Sequence, residues 1–106
     1  MGRRLKRGEL WVAHVGRKSR PVLILTRSEV LDVRELVTVA EVTTSHRGLA
    51  SEVAVKHYEV GLDRPSVVNC DGLHTVSQNS LTGPIGRVSE EVMEKVCSAT
   101  TYAIGC

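Results

Sequence analysis

Phenylalanine is absent from this chain, and aromatic residues make up only 3% of its 106 positions. The sequence therefore predicts an aliphatic core, and it excludes a nucleic-acid surface of the kind that interleaves aromatic rings with basic residues. No apolar run approaches the roughly 20 residues of a membrane-spanning helix, and the first residues are too polar for a signal peptide. The length indicates one domain, residues 1–106, and we expect no membrane segment.

Cysteine is scarce, with three residues whose spacing fits no metal-binding motif. An odd cysteine count fits a reducing compartment, so we expect a cytoplasmic protein. Cys70 stands beside Asp71, whose charge would raise the pKa of the thiol and disfavour a cysteine nucleophile. The histidines form no HxH or HExxH pattern, and no glycine-rich loop precedes a helix. We therefore expect neither a metal nor a cofactor.

The net charge of +2 is too small to indicate a nucleic-acid partner, but its distribution is uneven. Basic residues crowd the first fifth of the chain, which is typical either of a phosphate-binding surface or of a solubilising terminus. We expect residues 1–6 to form a flexible basic tail. The clustered residues are Arg3, Arg4, Lys6, Arg7, Arg17, Lys18 and Arg20.

Val, Thr and Ile occur in short runs separated by Gly, Pro and Asn, which predicts a mainly β (α+β) fold of antiparallel strands. A short helical turn is expected within residues 27–35, a turn at Gly72 and a loop over residues 79–84. The predicted strands are Glu9–Val15, Pro21–Thr26, Leu36–Val42, Glu52–Val55, Ser66–Asn69, Leu73–Val76 and Ile85–Val88.

The end of the chain predicts one helix. Ser89 is a suitable N-cap, and the acidic Glu90 and Glu91 follow it in the first turn, where the helix dipole favours negative charge. Apolar residues then recur at helical spacing, and Gly105 can end the helix. The sequence thus predicts a small antiparallel barrel with a C-terminal helix.

Arg20 and the polar run after the third strand are the candidate chemical groups. Arg20 precedes a proline and a buried strand, so its guanidinium is held rigidly and suits a phosphate. If the second and third strands are neighbours, Arg20 meets Thr43, Thr44 and His46 on one rim. Such a rim can serve the attack of an RNA 2′-hydroxyl on its own phosphate, with Arg20 stabilising charge and a threonine fixing the phosphate.

The proton steps of that reaction have several candidates, because an arginine is a poor base. They are His46, His74 or Arg20 as a proton donor. Each residue also has a plain alternative. Arg20 can be an ordinary surface arginine, Thr43 and Thr44 ordinary strand-end residues, and the histidines bystanders.

Several short motifs follow one another along the chain in a fixed order. They are Arg7-Gly8-Glu9-Leu10-Trp11, Arg20-Pro21-Val22-Leu23-Ile24-Leu25, Val39-Ala40-Glu41-Val42-Thr43-Thr44, Ser66-Val67-Val68-Asn69-Cys70-Asp71 and Ile85-Gly86-Arg87-Val88-Ser89. In this combination the chain resembles the MazF/PemK toxins, endoribonucleases of toxin–antitoxin modules, over residues 6–105. The stretch from Asn69 to Thr75 looks most like an actinobacterial branch.

The resemblance implies an SH3-like barrel, a homodimer and metal-independent, sequence-specific cleavage of single-stranded RNA to 2′,3′-cyclic phosphate and 5′-hydroxyl ends. By position, the family's catalytic residues fall on Arg20 and Thr43. Asn69, Asp71 and His74 fall in the segment that contributes to the RNA groove. It also implies a cognate, MazE-like antitoxin whose acidic tail binds the basic groove.

The first loop departs from the family pattern. Many relatives have a long loop with a Gly-Ser-Glu-Gln sequence, whereas this chain has only Gly16-Arg17-Lys18-Ser19. We expect a more open groove in which Arg17 and Lys18 attract RNA phosphates without sequence preference.

Two other functions are compatible with the same barrel. A CcdB-like gyrase-binding toxin acts through C-terminal residues that include a tryptophan, whereas this chain ends Tyr102-Ala103-Ile104-Gly105-Cys106. A non-catalytic nucleic-acid-binding barrel would bind RNA without cleaving it.

Overall fold

A computed structural model describes residues 5–15, 17–31 and 35–105. The basic residues Arg3 and Arg4, the loop residue Gly16 and the terminal Cys106 lie outside the described residues. The strands are β1 Glu9–Val15, β2 Lys18–Ile24, β3 Leu36–Thr43, β4 Glu52–Val55, β5 Ser66–Ser77 and β6 Leu81–Arg87; the helices are α1 Ser28–Leu31 and α2 Glu90–Ala103, with 3₁₀ turns at His57–Glu59 and Gln78–Ser80.

The strands form one six-stranded sheet in the order β4-β5-β3-β2-β1-β6. Every pair of neighbours is antiparallel. The close spacing of β1 and β2 produces a hairpin in which Val15 pairs with Lys18. The prediction of a mainly β, antiparallel fold with a C-terminal helix is confirmed.

Side chains alternate between two apolar clusters on the two faces of the sheet. On β3, Val37 and Val39 enter one cluster, whereas Ala40 and Val42 enter the other. The larger cluster draws residues from β1 to β5 and from α2, so the sheet curves around it and the helix covers it. The smaller cluster contains Trp11 and is covered by Leu31 of α1 and by Leu5. Both clusters are aliphatic apart from Trp11 and Cys70, as the composition predicts.

Helix α2 begins and ends as its sequence predicts. The Ser89 hydroxyl accepts a hydrogen bond from the backbone N–H of Val92 at 3.2 Å. This bond satisfies one of the backbone donors that the first turn leaves free. Val96 and Ala99 of the predicted apolar stripe are buried against the larger cluster. The chain leaves the helix at Gly105, whose φ is 78°.

Two strands begin earlier than predicted. Strand β2 begins at Lys18 rather than at Pro21. The ladder between β2 and β3 begins only at Val22, so the missing N–H of Pro21 costs that ladder no hydrogen bond. Strand β6 begins at Leu81, inside the predicted loop, because it pairs with β1.

The predicted turn at Gly72 is wrong. Strand β5 is continuous from Ser66 to Ser77. Its register with β3 shifts between Ala40, which pairs with Leu73, and Glu41, which pairs with Asn69. The residues between Asn69 and Leu73 therefore form a bulge, because they have no partners on β3.

The predicted flexible tail over residues 1–6 is also wrong in its last part. Leu5 is only 3% exposed and packs in the smaller cluster. The backbone N–H of Lys6 donates to Glu9 Oε1 at 2.8 Å. Burial of the apolar Leu5 side chain favours the folded position, so at least Leu5 and Lys6 belong to the domain.

The segment after β4 crosses β6 in close backbone contact at two glycines, Gly61 and Gly86. We call this contact the glycine crossing. A Cβ atom at Gly86 would lie 2.2 Å from the Val60 carbonyl oxygen, and one at Gly61 would lie 2.2 Å from the Ile85 carbonyl oxygen. Only residues without a Cβ allow backbones this close. Since β4 and β6 lie at opposite edges of the sheet, the crossing closes the sheet into a barrel-like form. No helix in the described part of the chain is long and apolar enough to cross a membrane.

Candidate active site

The candidate groups lie at one end of the face that carries the smaller cluster. Arg20 pairs with Ala13, a member of that cluster. Glu41 shares a face with Val39, because residues two apart on a strand point the same way. His74 pairs with Val39. The strand register alone therefore brings a guanidinium, a carboxylate and an imidazole to one side of the sheet.

The structure brings Arg20 to the end of β3 beside Thr43 and Thr44, but not beside His46. The two strands are neighbours, and a cleft of about 350 Å³ lies over their ends. Thr43 and Thr44 line this cleft together with Arg20. Arg20 lies within β2 rather than in front of it, so its backbone is fixed by pairing as well as by Pro21. The full lining is Arg20, Pro21, Val42, Thr43, Thr44, Leu62, Asp63, Arg64 and Ser66.

Glu41 connects two of the candidate residues. Its Oε1 lies 3.7 Å from Arg20 Nη1, and its Oε2 lies 2.5 Å from His74 Nε2. Glu41 was not among the predicted site residues. It is the only ionisable residue in the aliphatic strand β3. An isolated charge in such a strand indicates that a charged or hydrogen-bonding partner lies on a neighbouring strand.

Two further groups of the cleft were not predicted. Asp63 and Arg64 belong to the segment between β4 and β5, where the sequence indicates only a loop. They reach the cleft because the glycine crossing at Gly61 fixes the chain just before them. Such a position depends on a long-range backbone contact and has no local signature in the sequence.

The segment after β3 is held by hydrogen bonds from its backbone N–H groups to the side chains of Thr43 and Glu52. Thr43 Oγ1 accepts from the Ser45 N–H at 3.1 Å. Glu52 Oε1 accepts from the N–H groups of Arg47 and Leu49 at 3.0 and 3.1 Å. Desolvation raises the pKa of Glu52, but the backbone donors of this loop lower it by more, and the net pKa lies below its ordinary value. The ionised carboxylate therefore organises the loop that carries Thr44 and His46.

We expect Glu52→Gln to destabilise the fold at neutral pH but not in acid. A carboxyl group with a lowered pKa stabilises the folded state above the pKa of the unfolded chain, and this contribution is lost as the pH falls through the folded value. Denaturant midpoints measured between pH 3 and pH 7 should therefore converge for wild type and variant on the acid side. Glu94→Gln, on the exposed surface of α2, is the control. A constant difference at every pH would contradict this role.

The predicted RNA-binding residues of β5 have different surroundings. Asp71 lies in the bulge and accepts a short hydrogen bond from the Ser51 hydroxyl. The Asn69 side-chain oxygen accepts from the Asp71 N–H at 3.0 Å. Asp71 thus fastens the end of the 44–51 loop to the sheet, whereas His74 joins the Arg20 cluster through Glu41.

Of the predicted RNA-binding residues only Thr44 lines the cleft; Asn69, Asp71 and His74 lie outside its lining, as do Arg17, Lys18 and His46. Arg17 and Lys18 are exposed at the β1–β2 turn, as expected for a basic surface. His46 is exposed on the loop that Glu52 organises. Arg7 serves the fold instead, because its guanidinium donates to the Leu25 carbonyl at 2.7 Å and to Cys97 Sγ at 2.9 Å.

Neither of the two described cysteines lines the cleft. Cys70 is fully buried, and this burial, reinforced by the charge of Asp71, raises the pKa of its thiol. Cys97 is exposed on α2, away from the cleft lining. Within residues 5–15, 17–31 and 35–105, no three His, Cys, Asp or Glu side chains are grouped so as to hold a metal ion.

A protein-family comparison defines the class of this molecule. The model of the "PemK-like, MazF-like toxin of type II toxin-antitoxin system" matches residues 6–103. The chain belongs to this family, which confirms the resemblance in its motifs. These matches do not favour the CcdB-like alternative.

Individual relatives come from Mycobacterium tuberculosis, in agreement with the actinobacterial resemblance. The chain is 35% identical over 102 residues to the "Probable endoribonuclease MazF2", covering 96% of this chain and 100% of that protein. It is 37% identical over 103 residues to the "Probable endoribonuclease MazF5", covering 94% and 93%.

Solved structures confirm the fold. The "Mycobacterium tuberculosis toxin MazF-mt6" superposes with a TM-score of 0.85 at 39% identity, over 92% of this chain and 96% of that one. An "Endoribonuclease in complex with its cognate antitoxin from Mycobacterial species" gives a TM-score of 0.86 at 24% identity, over 95% of each chain. The second likeness concerns the fold alone.

Proposed function

We propose that this chain is the endoribonuclease toxin of a type II toxin–antitoxin system, cleaving single-stranded RNA at specific sequences without a metal ion. The observation that carries the proposal is the cleft in which Arg20 meets Thr43 and Thr44 at the ends of adjacent strands. The names of the mycobacterial relatives support the activity. The action takes place in the cytoplasm, as expected for a protein whose substrate is cellular RNA.

The reaction uses the 2′-hydroxyl of the RNA as its nucleophile. The 2′-oxygen attacks the adjacent phosphorus, the bond from phosphorus to the 5′-oxygen breaks, and a 2′,3′-cyclic phosphate and a 5′-hydroxyl result. Arg20 stabilises the charge that develops on the phosphoryl oxygens. The Thr43 hydroxyl donates to one of these oxygens and fixes the phosphate for in-line attack. A cleft of about 350 Å³ has room for a single nucleotide.

A chemically modified RNA tests this mechanism. The wild-type protein is incubated in EDTA with a mixed single-stranded RNA, and the ends of the products are identified by mass spectrometry. Once a cleavage site is found, the same oligonucleotide is made with one 2′-deoxy residue at that site. We expect cyclic phosphate ends from the first RNA and no cleavage of the second. Cleavage of the 2′-deoxy RNA, or an absolute metal requirement, would overturn the mechanism.

The exposed basic turn predicts sequence-independent attraction. We expect Arg17→Ala/Lys18→Ala to weaken RNA binding evenly across sequences, and to reduce the slope of log K against log salt by about 1.4, since each single-strand phosphate contact contributes about 0.7. Fluorescence anisotropy at several salt concentrations, with two unrelated oligonucleotides, measures both effects. A change in cleavage-site preference would contradict this function of the turn.

The cognate antitoxin is proposed to act on the same cleft. A disordered acidic tail can pair with the basic turn and with Arg20, and would then compete with RNA phosphates. We expect inhibition that rising RNA concentration relieves, measured by initial rates at fixed antitoxin concentration. An antitoxin complex that cleaves at the uninhibited rate would contradict the proposal.

A homodimer is proposed as the active assembly, in line with the family resemblance. Apolar side chains exposed at the end of α2, Tyr102 at 68% and Ile104 at 61%, offer apolar area for such an interface. Light scattering coupled to size exclusion measures the mass. A mass of 11.6 kDa at micromolar concentration, that of one chain, would contradict the dimer.

A further inference from the structure

Glu41 has a costly position for an acidic residue. Its neighbours along β3 are Ala40 and Val42, which are buried, and its own side chain is only 26% exposed. A carboxylate that has lost most of its water needs partners among nearby donors. Arg20 and His74 supply them, one at each oxygen.

The two contacts of Glu41 differ in kind. The 3.7 Å separation from Arg20 Nη1 is an ion pair but too long for a hydrogen bond. Glu41 therefore attracts the guanidinium while leaving its N–H donors for another acceptor, such as a phosphate. The 2.5 Å contact with His74 is a direct hydrogen bond.

The contact with His74 fixes which ring nitrogen is protonated. An ionised carboxylate only accepts hydrogen bonds, so Nε2 of His74 carries a proton and donates it. In the neutral ring the free electron pair then lies on Nδ1. Nδ1 has no hydrogen-bond partner among the described residues, and the His74 side chain is 40% exposed. A carboxylate that orients an imidazole through one nitrogen leaves the other for proton transfer.

The bulge of β5 makes this arrangement possible. A Cβ atom at Gly72 would lie 3.1 Å from Glu41 Oε2 and 3.1 Å from Asn69 Nδ2. Glycine in the bulge thus leaves the space that the carboxylate occupies beneath His74.

We infer that Glu41 is a positioning residue for the proposed RNA cleavage: it orients His74 so that Nδ1 accepts the proton of the attacking 2′-hydroxyl. This inference rests on the proposed function. As the 2′-oxygen bonds to phosphorus, its proton passes to Nδ1, and the resulting imidazolium is stabilised by Glu41. The leaving 5′-oxygen takes a proton from solvent, and His74 later returns its proton to solvent. Among the described residues, no carboxylate accepts a hydrogen bond from His46, whereas Glu41 contacts His74 directly.

Steady-state kinetics of Glu41→Gln are the first test. We expect kcat to fall about 10- to 100-fold, part of the 10²–10⁴-fold contribution of a general base. KM for RNA should stay unchanged or fall, because a negative charge next to Arg20 is removed. A purely structural role would instead lower the melting temperature and change kcat and KM together. Glu91→Gln, an exposed carboxylate on α2, is the matched control and should behave as wild type.

A double-mutant cycle locates the effect. His74→Ala should cost about 10²–10³-fold in kcat, and Glu41→Gln/His74→Ala should cost little more than His74→Ala alone, the remainder being the lost contact of Glu41 with Arg20. Additive losses would overturn the inference.

A measurement without RNA completes the test. Nitrogen-15 NMR of the imidazole should show neutral His74 protonated at Nε2 in wild type and a mixture of tautomers in Glu41→Gln. If wild type cleaves RNA and Arg20→Ala does not, but Glu41→Gln keeps full kcat and the same tautomer, only this inference fails. If wild type cleaves no RNA at all, the proposed function fails, and the tautomer still reports on Glu41.

Discussion

Arg20→Ala is expected to lower the rate of RNA cleavage by about 1,000-fold or more, since arginines that stabilise phosphoryl transition states contribute 10³–10⁵. The pairing of Arg20 with Ala13 fixes its backbone, and Glu41 attracts its guanidinium. Its charge therefore meets the developing phosphorane without reorganisation. Because only one phosphate contact is removed, RNA affinity should fall far less than the rate.

The comparison needs an arginine in a similar strand but away from the cleft. Arg87→Ala, exposed on β6, should cleave as wild type does. Arg20→Lys should recover a part of the lost rate, because an ammonium supplies charge without the planar fork of donors. Single-turnover rates in EDTA and anisotropy titrations separate chemistry from binding. Equal rates for Arg20→Ala and Arg87→Ala would mean that the cleft is not the active site.

Gly86→Ala is expected to destabilise the fold by about 3 kcal/mol or more, at the upper end of the range for overpacked sites. The added Cβ would lie 2.2 Å from the carbonyl oxygen and 2.4 Å from the carbonyl carbon of Val60. These are backbone atoms of a buried residue, so no side chain can rotate away. For a domain of this size the melting temperature should fall by about 12 °C or more. Leu62, Asp63 and Arg64 follow this crossing and line the cleft, so cleavage should weaken as well.

Gly48→Ala is the matched control for that substitution. Gly48 has a φ of 72°, but a Cβ there would meet nothing within 4 Å. Its cost is therefore the backbone strain alone, about 1–2 kcal/mol. Calorimetry of both variants separates strain from steric overlap. A smaller loss for Gly86→Ala than for Gly48→Ala would show that the crossing is not tight.

Local chemistry made much of this fold predictable. Strands β1 and β4 have the predicted bounds, and α2 begins after the predicted cap at Ser89. These elements follow from alternation and capping within a few residues. The turn expected at Gly72 failed because a glycine in a strand also permits a bulge, and only the pairing with β3 decides between the two.

Only a part of the candidate site could be predicted from the sequence. Arg20 and the threonines carry local signals, namely a proline at the strand and a polar run at a strand end. Glu41 gains its importance from residues on two other strands. The distances that join Glu41 to Arg20 and His74 depend on strand order and register, which no single segment encodes.

The bulge in β5 also limits which changes of chain length this protein can tolerate. Asn69 and His74 are separated by an odd number of positions, so in a regular strand they would point to opposite faces. The unpaired bulge residues between them shift the alternation by an odd number of positions. Asn69 and His74 therefore both lie on the same face of the sheet as Glu41. Deleting a single residue there would turn the second half of β5 over, taking Leu73 away from the larger cluster and His74 away from Glu41. Insertions and deletions should therefore be tolerated in this segment only in pairs.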